Sequence, residues 1–209
     1  MSNLILLERI YQGHRGALKR TILNEALFCF LNQGIEATNI EMIRARAETS
    51  IGAIYHHFQH KEGIVQALYL AALEDQAQRR EQVLQQAKTL QQGIEAIISS
   101  YIDWVVEFSD FARFLYMASF SVRQHDEKMV LISKNSQRNQ NFMQWIKQCE
   151  QIEIIENIPP ELLLSLVIGT TESYCRAWLS QKVKTSPEQY KNILARSAWR
   201  TLADFNKTE

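Results

Sequence analysis

Residues that break helices are scarce along this chain. Three prolines and seven glycines interrupt 209 residues, and 46% of the residues are hydrophobic, which is enough for a substantial core. So few breaks over such a length favour packed helices over an architecture of strands and turns. We therefore predict an all-α fold.

Apolar residues at every fourth position mark the first long helix, which we expect at 16–33. They are Leu18, Ile22, Ala26 and Phe30. Gly34 follows as a stop signal. Two short helices are predicted next, at about 39–46 and 50–58, and a long helix begins at Lys61. Further helices are predicted near 93–108, 111–122, 126–151, 159–181 and 187–206.

The long helix and the two short helices after it have the order of a helix-turn-helix, in which a turn of about three residues joins the short helices. Their residues are Ile22-Leu23-Asn24-Glu25-Ala26-Leu27-Phe28-Cys29-Phe30, Gly34, Thr38-Asn39-Ile40, Ile43, Ala47, Ser50, Gly52, Ile54-Tyr55-His56-His57-Phe58 and Lys61-Glu62. In this order and spacing, from Arg20 to Ile64, the chain resembles the TetR family. The resemblance implies a three-helix DNA-binding domain at about 1–65, whose first 15 or so residues form a possible arm. It also implies a helical domain at about 66–209 that binds a ligand and dimerises.

The resemblance also implies where DNA is bound. Ser50 begins the second short helix, where a helix N-terminus favours phosphate, and Gly52 and Ala53 are small enough for the backbone to approach base edges. Ile51 and His56 are the side chains expected to read bases. The complete expected set is Thr38, Asn39, Ser50, Ile51, Gly52, Ala53, Tyr55, His56, His57 and Lys61. The alternative interpretation of these polar residues is a solvated helix face.

Two residues depart from the family pattern in this region. Glu48 stands where the family usually has a glycine with a positive φ, which predicts a cost of roughly 1 kcal/mol if the turn is kept. Arg44 replaces a small alanine between the two short helices, so its side chain must reach the surface or tilt the helices.

The charge balance and the cysteine spacing limit the class of protein to which this chain can belong. The 23 basic and 23 acidic residues balance, so a DNA contact must come from a local surface. Three widely spaced cysteines suit reduced thiols, and no apolar run reaches the length of a membrane span. We expect a soluble cytoplasmic protein. We expect no cofactor, since no phosphate loop or catalytic motif appears, and no metal, although His56 and His60 lie four residues apart.

In the second half of the chain we expect a ligand pocket and a dimer interface. The candidate pocket residues are Trp104, Phe108, Phe111, Phe114, Tyr116, Phe120, Tyr174 and Trp178. Each of these aromatic residues has core packing as its alternative interpretation. The candidate interface residues are Ser165, Gly169, Ser173, Ala177, Leu194, Ala198 and Thr201. The first four form a strip of small side chains that allows a close helix approach, with packing inside one chain as the alternative.

These expectations combine into one function. We predict a homodimeric DNA-binding regulator, a repressor by the family pattern, that a small apolar or amphipathic effector releases from a near-palindromic operator. It is not expected to be an enzyme. The alternative is an all-helical carrier of apolar ligands, or an enzyme, that does not use its helix-turn-helix; duplex binding with a steep salt dependence distinguishes the two.

Overall fold

The computed structural model describes residues 2–119, 140–150 and 152–205, and within these ranges the regular elements are helices. The predicted all-α class is confirmed. The α-helices are α1 (Ser2–Ile10), α2 (Ala17–Gln33), α3 (Ile40–Arg46), α4 (Ile51–Phe58), α5 (Lys61–Leu84), α6 (Leu90–Glu107), α7 (Ser109–Ala118), α8 (140–147), α9 (Pro160–Leu179) and α10 (Lys191–Ala203). Short 3-10 helices lie at His14–Gly16, Ile152–Ile154 and Pro187–Tyr190.

The chain forms two compact units. Among the described residues, one unit contains 2–75 and 108–119, and the other contains 76–107, 140–150 and 152–205. Helix α5 therefore begins in the first unit and ends in the second.

The first unit is built around α2. One face of α2 is buried and ends at Gly34, whose backbone N–H bonds the carbonyl of Phe30 at 2.9 Å. The buried residues of α2 are Ile22, Leu23, Ala26, Leu27, Cys29 and Phe30. The predicted apolar stripe is thus confirmed except at Leu18, which is 38% exposed. Helix α7 packs on α2, and the rings of Phe30 and Phe114 stack with centroids 5.9 Å apart.

The second unit is organised by α6, α9 and α10, which pack against one another. Helix α9 buries a stripe of every fourth residue, made of Leu163, Val167, Thr171, Cys175 and Leu179. In the same unit, the indole of Trp145 lies so close to Gly93 that a Cβ there would be 1.9 Å from it. Cys175 is buried, whereas Cys149 is half-buried and lies 3.5 Å from the carbonyl oxygen of Trp145.

Most predicted helices occur within a few residues of their expected positions, and the differences have local causes. Helix α1 was not predicted, because Leu4–Leu7 is a continuous apolar run without helical spacing. The predicted helix at 187–206 begins as a 3-10 turn, in which Ser186 accepts the N–H of Glu188 at 3.3 Å. Of the helix predicted at 126–151, only 140–150 lies among the described residues.

Helices that could cross a bilayer, judged by length and apolar character, do not occur among the described residues.

Candidate nucleic-acid interface

Helices α3 and α4 are each started by a side-chain cap. The Asn39 side-chain oxygen accepts the N–H of Met42 at 3.0 Å, and the Ser50 hydroxyl accepts the N–H of Ala53 at 3.1 Å. A cap of this kind satisfies a backbone donor that the first turn of a helix leaves open. Asn39 and Ser50 therefore define where α3 and α4 begin.

The turn between α3 and α4 contains the strained position expected from the sequence. Glu48 has φ 48°, a conformation that glycine adopts freely and other residues adopt at a cost. The turn closes with a bond from the Thr49 N–H to the Arg44 carbonyl at 3.3 Å. The chain thus keeps a geometry suited to glycine while carrying a glutamate.

Arg44 resolves its crowding by reaching the surface. Its Nε donates to Glu41 at 2.8 Å, and its Nη1 donates to the Thr49 carbonyl at 3.4 Å. The hydrogen bond from Arg44 lowers the pKa of the Glu41 carboxyl, which is exposed. Of the two arrangements expected for Arg44, the structure has the one that leaves α3 and α4 packed.

Helix α4 presents one face to solvent and buries the other. Ile54 and Phe58 are buried, whereas Ile51 and Tyr55 are 44% and 48% exposed. A Cβ built at Gly52 would have only the Ser50 hydroxyl within 4 Å, at 3.9 Å. Large apolar and aromatic side chains at such an exposure are available to a partner, and the glycine between them leaves room for its close approach.

His56 and His57 extend this face towards the end of α4. His56 is exposed and His57 is half-buried, with ring centroids 5.4 Å apart. Burial lowers the pKa of His57, and the nearby His56 and Lys19 lower it further. Lys19 itself lies over the ring of Tyr11, with 4.3 Å between its Nζ and the ring centroid, and burial lowers its pKa.

A tight junction joins α4 to α5. Gln59 takes a left-handed conformation with φ 62°, and a Cβ at Gly63 would lie 2.1 Å from the Phe58 carbonyl oxygen. His60 accepts the Gly63 N–H through Nδ1 at 3.0 Å, and so caps the start of α5. Sequence reasoning missed Gly63; a glycine inside a helical pattern is the signal that could have revealed it.

The side chains of Lys61 and Thr38 bond to backbone carbonyls of the segment before α3 and do not extend the exposed face of α4. The Lys61 ammonium donates to the carbonyls of Ile35 and Glu36 at 3.0 and 3.3 Å. Thr38 is 1% exposed, and its hydroxyl donates to the Gly34 carbonyl at 2.8 Å. Lys61 keeps one donor for another partner, whereas the Thr38 hydroxyl is enclosed.

Groups of three or more His, Cys, Asp or Glu side chains that could hold a metal ion do not occur in the described part of the chain.

The aromatic residues predicted to line a pocket are divided between the two units. Phe108, Phe111 and Phe114 are fully buried in the first unit, where Arg9 lies 5.2 Å from the ring centroid of Phe108. Tyr116 is half-buried in the same unit. The ring of Phe114 stacks on Phe30 within this unit, and Phe120 lies outside the described residues.

The remaining pocket candidates belong to the second unit. Trp104 is 1% exposed and Trp178 is half-buried. The Tyr174 hydroxyl donates to the Thr185 carbonyl at 3.0 Å, and its ring meets Tyr190 edge-on.

The strip of small residues on α9 faces away from the core of its own unit. Ser165 and Ser173 are exposed, and Gly169 and Ala177 are partly exposed. They lie two positions along the helix from the buried stripe, which places them on the opposite side. On α10, Thr201 is exposed, Leu194 is half-buried and Ala198 is buried.

Comparison with known proteins identifies the helix-turn-helix. Residues 22–68, which contain α3, α4 and most of α2, match the family model described as "Bacterial regulatory proteins, tetR family". The helix-turn-helix region of this chain is thus similar to that of TetR-family proteins. The two helices capped by Asn39 and Ser50 both lie within the matched residues.

Solved structures of TetR-family proteins are similar to this chain over most of its length. A TetR family transcription regulator from Marinobacter aquaeolei VT8 has a TM-score of 0.75 at 16% identity, covering 90% of this chain and 96% of that one. The ketosteroid transcriptional regulator KstR2 of Mycobacterium tuberculosis has a TM-score of 0.66 at 18% identity, covering 91% and 96%.

A curated relative is similar over a shorter stretch. The Transposon Tn10 TetC protein of Escherichia coli is 26% identical over 91 residues, which are 42% of this chain and 44% of that protein. The chain thus spans less than half the length of this curated relative.

Proposed function

We propose that this protein is a TetR-family transcriptional regulator that binds an operator through the exposed face of α4. The observation that carries the proposal is that face itself, on which Ile51 and Tyr55 are about half-exposed beside Gly52. An α-helix fits the major groove of DNA, where base edges differ in their donors and acceptors. The DNA-binding function is assigned to the first 65 or so residues.

Individual roles follow from side-chain chemistry. Ile51 and His56 contact bases, while Tyr55 and His57 donate to phosphates, and the capped N-terminus at Ser50 favours a further phosphate. Lys61 uses its remaining donor for the DNA backbone. Thr38 is left out of the contact set because its hydroxyl is enclosed.

The regulator acts as a homodimer in this proposal. The strip of small residues on α9 is accessible on one chain, and the apolar Ile193 on α10 is 66% exposed. Two α9–α10 pairs then form a four-helix interface. Two copies of α4 reach successive major grooves about 34–36 Å apart, so the operator is a near-palindrome.

We further propose that the protein is a cytoplasmic repressor released by a small apolar or amphipathic effector bound in the second unit. Its aromatic residues, Trp104, Tyr174 and Trp178, support an effector of this class. The similarity to a regulator named for ketosteroids points in the same direction. A thermal-shift screen of apolar compounds, followed by titration of the hits into the protein–DNA complex, tests this part; release by metals or nucleotides alone would contradict it.

The central experiment concerns Gly52. Gly52→Ala adds a methyl group where no atom lies closer than 3.9 Å, so the free chain should keep or gain stability by up to about 1 kcal/mol. Affinity for an operator selected from random duplexes should nevertheless fall, because the methyl group faces the bases. Gln91→Ala is the control: it changes an exposed residue of α6 outside both proposed interfaces, and should leave operator affinity unchanged.

A second measurement separates regulator from carrier. Operator affinity of the wild type should fall steeply with salt, and Lys61→Ala should reduce that slope by about one unit without changing sequence preference. Absence of any salt-dependent duplex binding would reject the regulator.

A further inference from the structure

The N-terminal helix α1 is packed into the first unit rather than extended as an arm. Leu6 and Leu7 are fully buried, and helices α1 and α2 are in contact. The end of α1 is tied down as well, since Arg20 donates through Nη1 to the carbonyls of Tyr11 and Gly13 at 2.5 and 2.9 Å. This helix therefore has a defined position from which it can act on its neighbours.

Its strongest contact is an ion pair with α5. Arg9 donates through Nη1 to both carboxylate oxygens of Asp75, at 3.1 and 3.4 Å. Asp75 is only 2% exposed, and the guanidinium also lies over the ring of Phe108. A buried carboxylate depends strongly on such a partner, because an unpaired charge is costly to bury. Asp75 is also the point at which α5 leaves the first unit.

A second contact holds α5 nearer its start. The Tyr11 hydroxyl donates to the Ala67 carbonyl at 3.2 Å, and burial raises the pKa of Tyr11 to about 12. Ala67 and Asp75 are eight residues apart, or about 12 Å along the helix. Two contacts at that separation restrain the direction of α5 as well as its position. On the other side, the Asn3 side chain donates to Asp110 of α7 at 3.0 Å.

We infer that α1 positions α5 for operator binding, with Arg9 as the positioning residue acting through Asp75. The inference rests on the proposed function. Because Gly63 and the Phe58 carbonyl hold α5 tightly against the end of α4, a restraint on α5 is also a restraint on the DNA-contacting helix. A pre-positioned binding element loses less conformational freedom on binding, so the contact favours the complex.

The test measures operator affinity, salt slope and thermal stability of the full-length protein. Arg9→Met should weaken operator affinity about tenfold, in the usual range for coupling between sites, with the salt slope unchanged. Tyr11→Phe, which removes only a hydroxyl group, should weaken it less. Arg15→Met is the matched control: it removes the same charge from an exposed neighbouring residue and should stay within about twofold of wild type.

Because Arg9→Met removes the Arg9 cation from the buried Asp75, the double variant Arg9→Met with Asp75→Leu separates positioning from folding. Regained melting temperature with affinity still reduced supports the inference, whereas regained affinity as well makes the pair merely structural and overturns it. An unchanged or increased affinity of Arg9→Met also overturns it, and so does a salt slope lowered by about one unit, which would make Arg9 a phosphate contact. If the wild type binds no duplex, the proposed function itself fails.

Discussion

Single residues in the turn before α4 set a balance between stability and DNA binding. Glu48 has φ 48° and is exposed beside the surface proposed to meet DNA. Glu48→Gly should stabilise the free protein by about 1 kcal/mol, because glycine adopts this conformation without strain. It should also strengthen operator binding, because a negative charge near the phosphates is removed.

The matched control for Glu48 is Gln181→Gly. Gln181 has φ 60° and lies outside the helix-turn-helix, so the same relief of strain is expected there with operator affinity unchanged. Urea unfolding and duplex titration measure the two quantities. If both variants changed operator affinity equally, the charge of Glu48 would have no role in operator binding.

The protonation of His57 should make operator binding depend on pH. Its pKa lies below the ordinary value because of burial, His56 and Lys19, so the ring is neutral at pH 7. As pH falls through the lowered pKa, the cation forms and its phosphate bond becomes charge-assisted. Affinity should rise roughly fivefold, for a gain of about 1 kcal/mol. The free protein should lose stability over the same range, since the depressed pKa disfavours the protonated ring in the fold.

Duplex titrations between pH 7.5 and 5.5 check this expectation. His57→Gln should flatten the response by the contribution of His57. A pH profile identical to that of the wild type would show that His57 does not carry the effect.

For single residues, the sequence predicted the place of a residue in a helix or turn better than it predicted which atoms its side chain contacts. The start of α4 at Ser50 and the strain at Glu48 could be anticipated, because each depends on a residue and its immediate neighbours. The enclosed hydroxyl of Thr38 and the carbonyl partners of Lys61 could not. Those contacts arise from residues brought together by folding.

Among whole elements, α7 carries aromatic residues for which the sequence left both a ligand pocket and core packing open. Its aromatic residues were expected to line a ligand pocket, yet Phe114 stacks on Phe30 of α2. Phe114→Ala should therefore destabilise the first unit by about 3–5 kcal/mol. Met117→Ala on the same helix, at a residue 37% exposed, should cost less than about 1 kcal/mol.

Calorimetric unfolding of the two α7 variants measures the difference. A Phe114→Ala protein of normal stability that no longer responds to an effector would support the pocket interpretation.

Helix α1 could not be predicted from its sequence. Leu4–Leu7 carries no helical spacing, and the burial of Leu6 and Leu7 explains why this segment folds as a helix. Periodicity in one chain segment cannot reveal which neighbour will cover it.

For the molecule as a whole, the strip of small residues on α9 predicts how two copies associate. Gly169→Leu introduces a large side chain on an open surface, where nothing lies within 4 Å in the single chain. The subunit should therefore stay folded, while the dimer weakens by roughly 1–3 kcal/mol because the helices are held apart. Sedimentation at micromolar and lower concentrations measures the dissociation.

The matched variant Gln91→Leu adds a leucine at an exposed position of α6 and should leave the dimer intact. If the Gly169→Leu dimer dissociated no more readily than the wild-type dimer, the interface would not include this strip.

The unequal exposure of the three cysteines has a practical consequence for following such assembly. Cys29 and Cys175 are enclosed, and burial raises the pKa of Cys175 to about 12, so neither offers a reactive thiolate near neutral pH. Cys149 is half-buried and should react first with a maleimide dye, slowly because burial raises its pKa too. The native chain thus carries its own single attachment point for a fluorophore, beside the backbone carbonyl of Trp145, without any cysteine having to be engineered out.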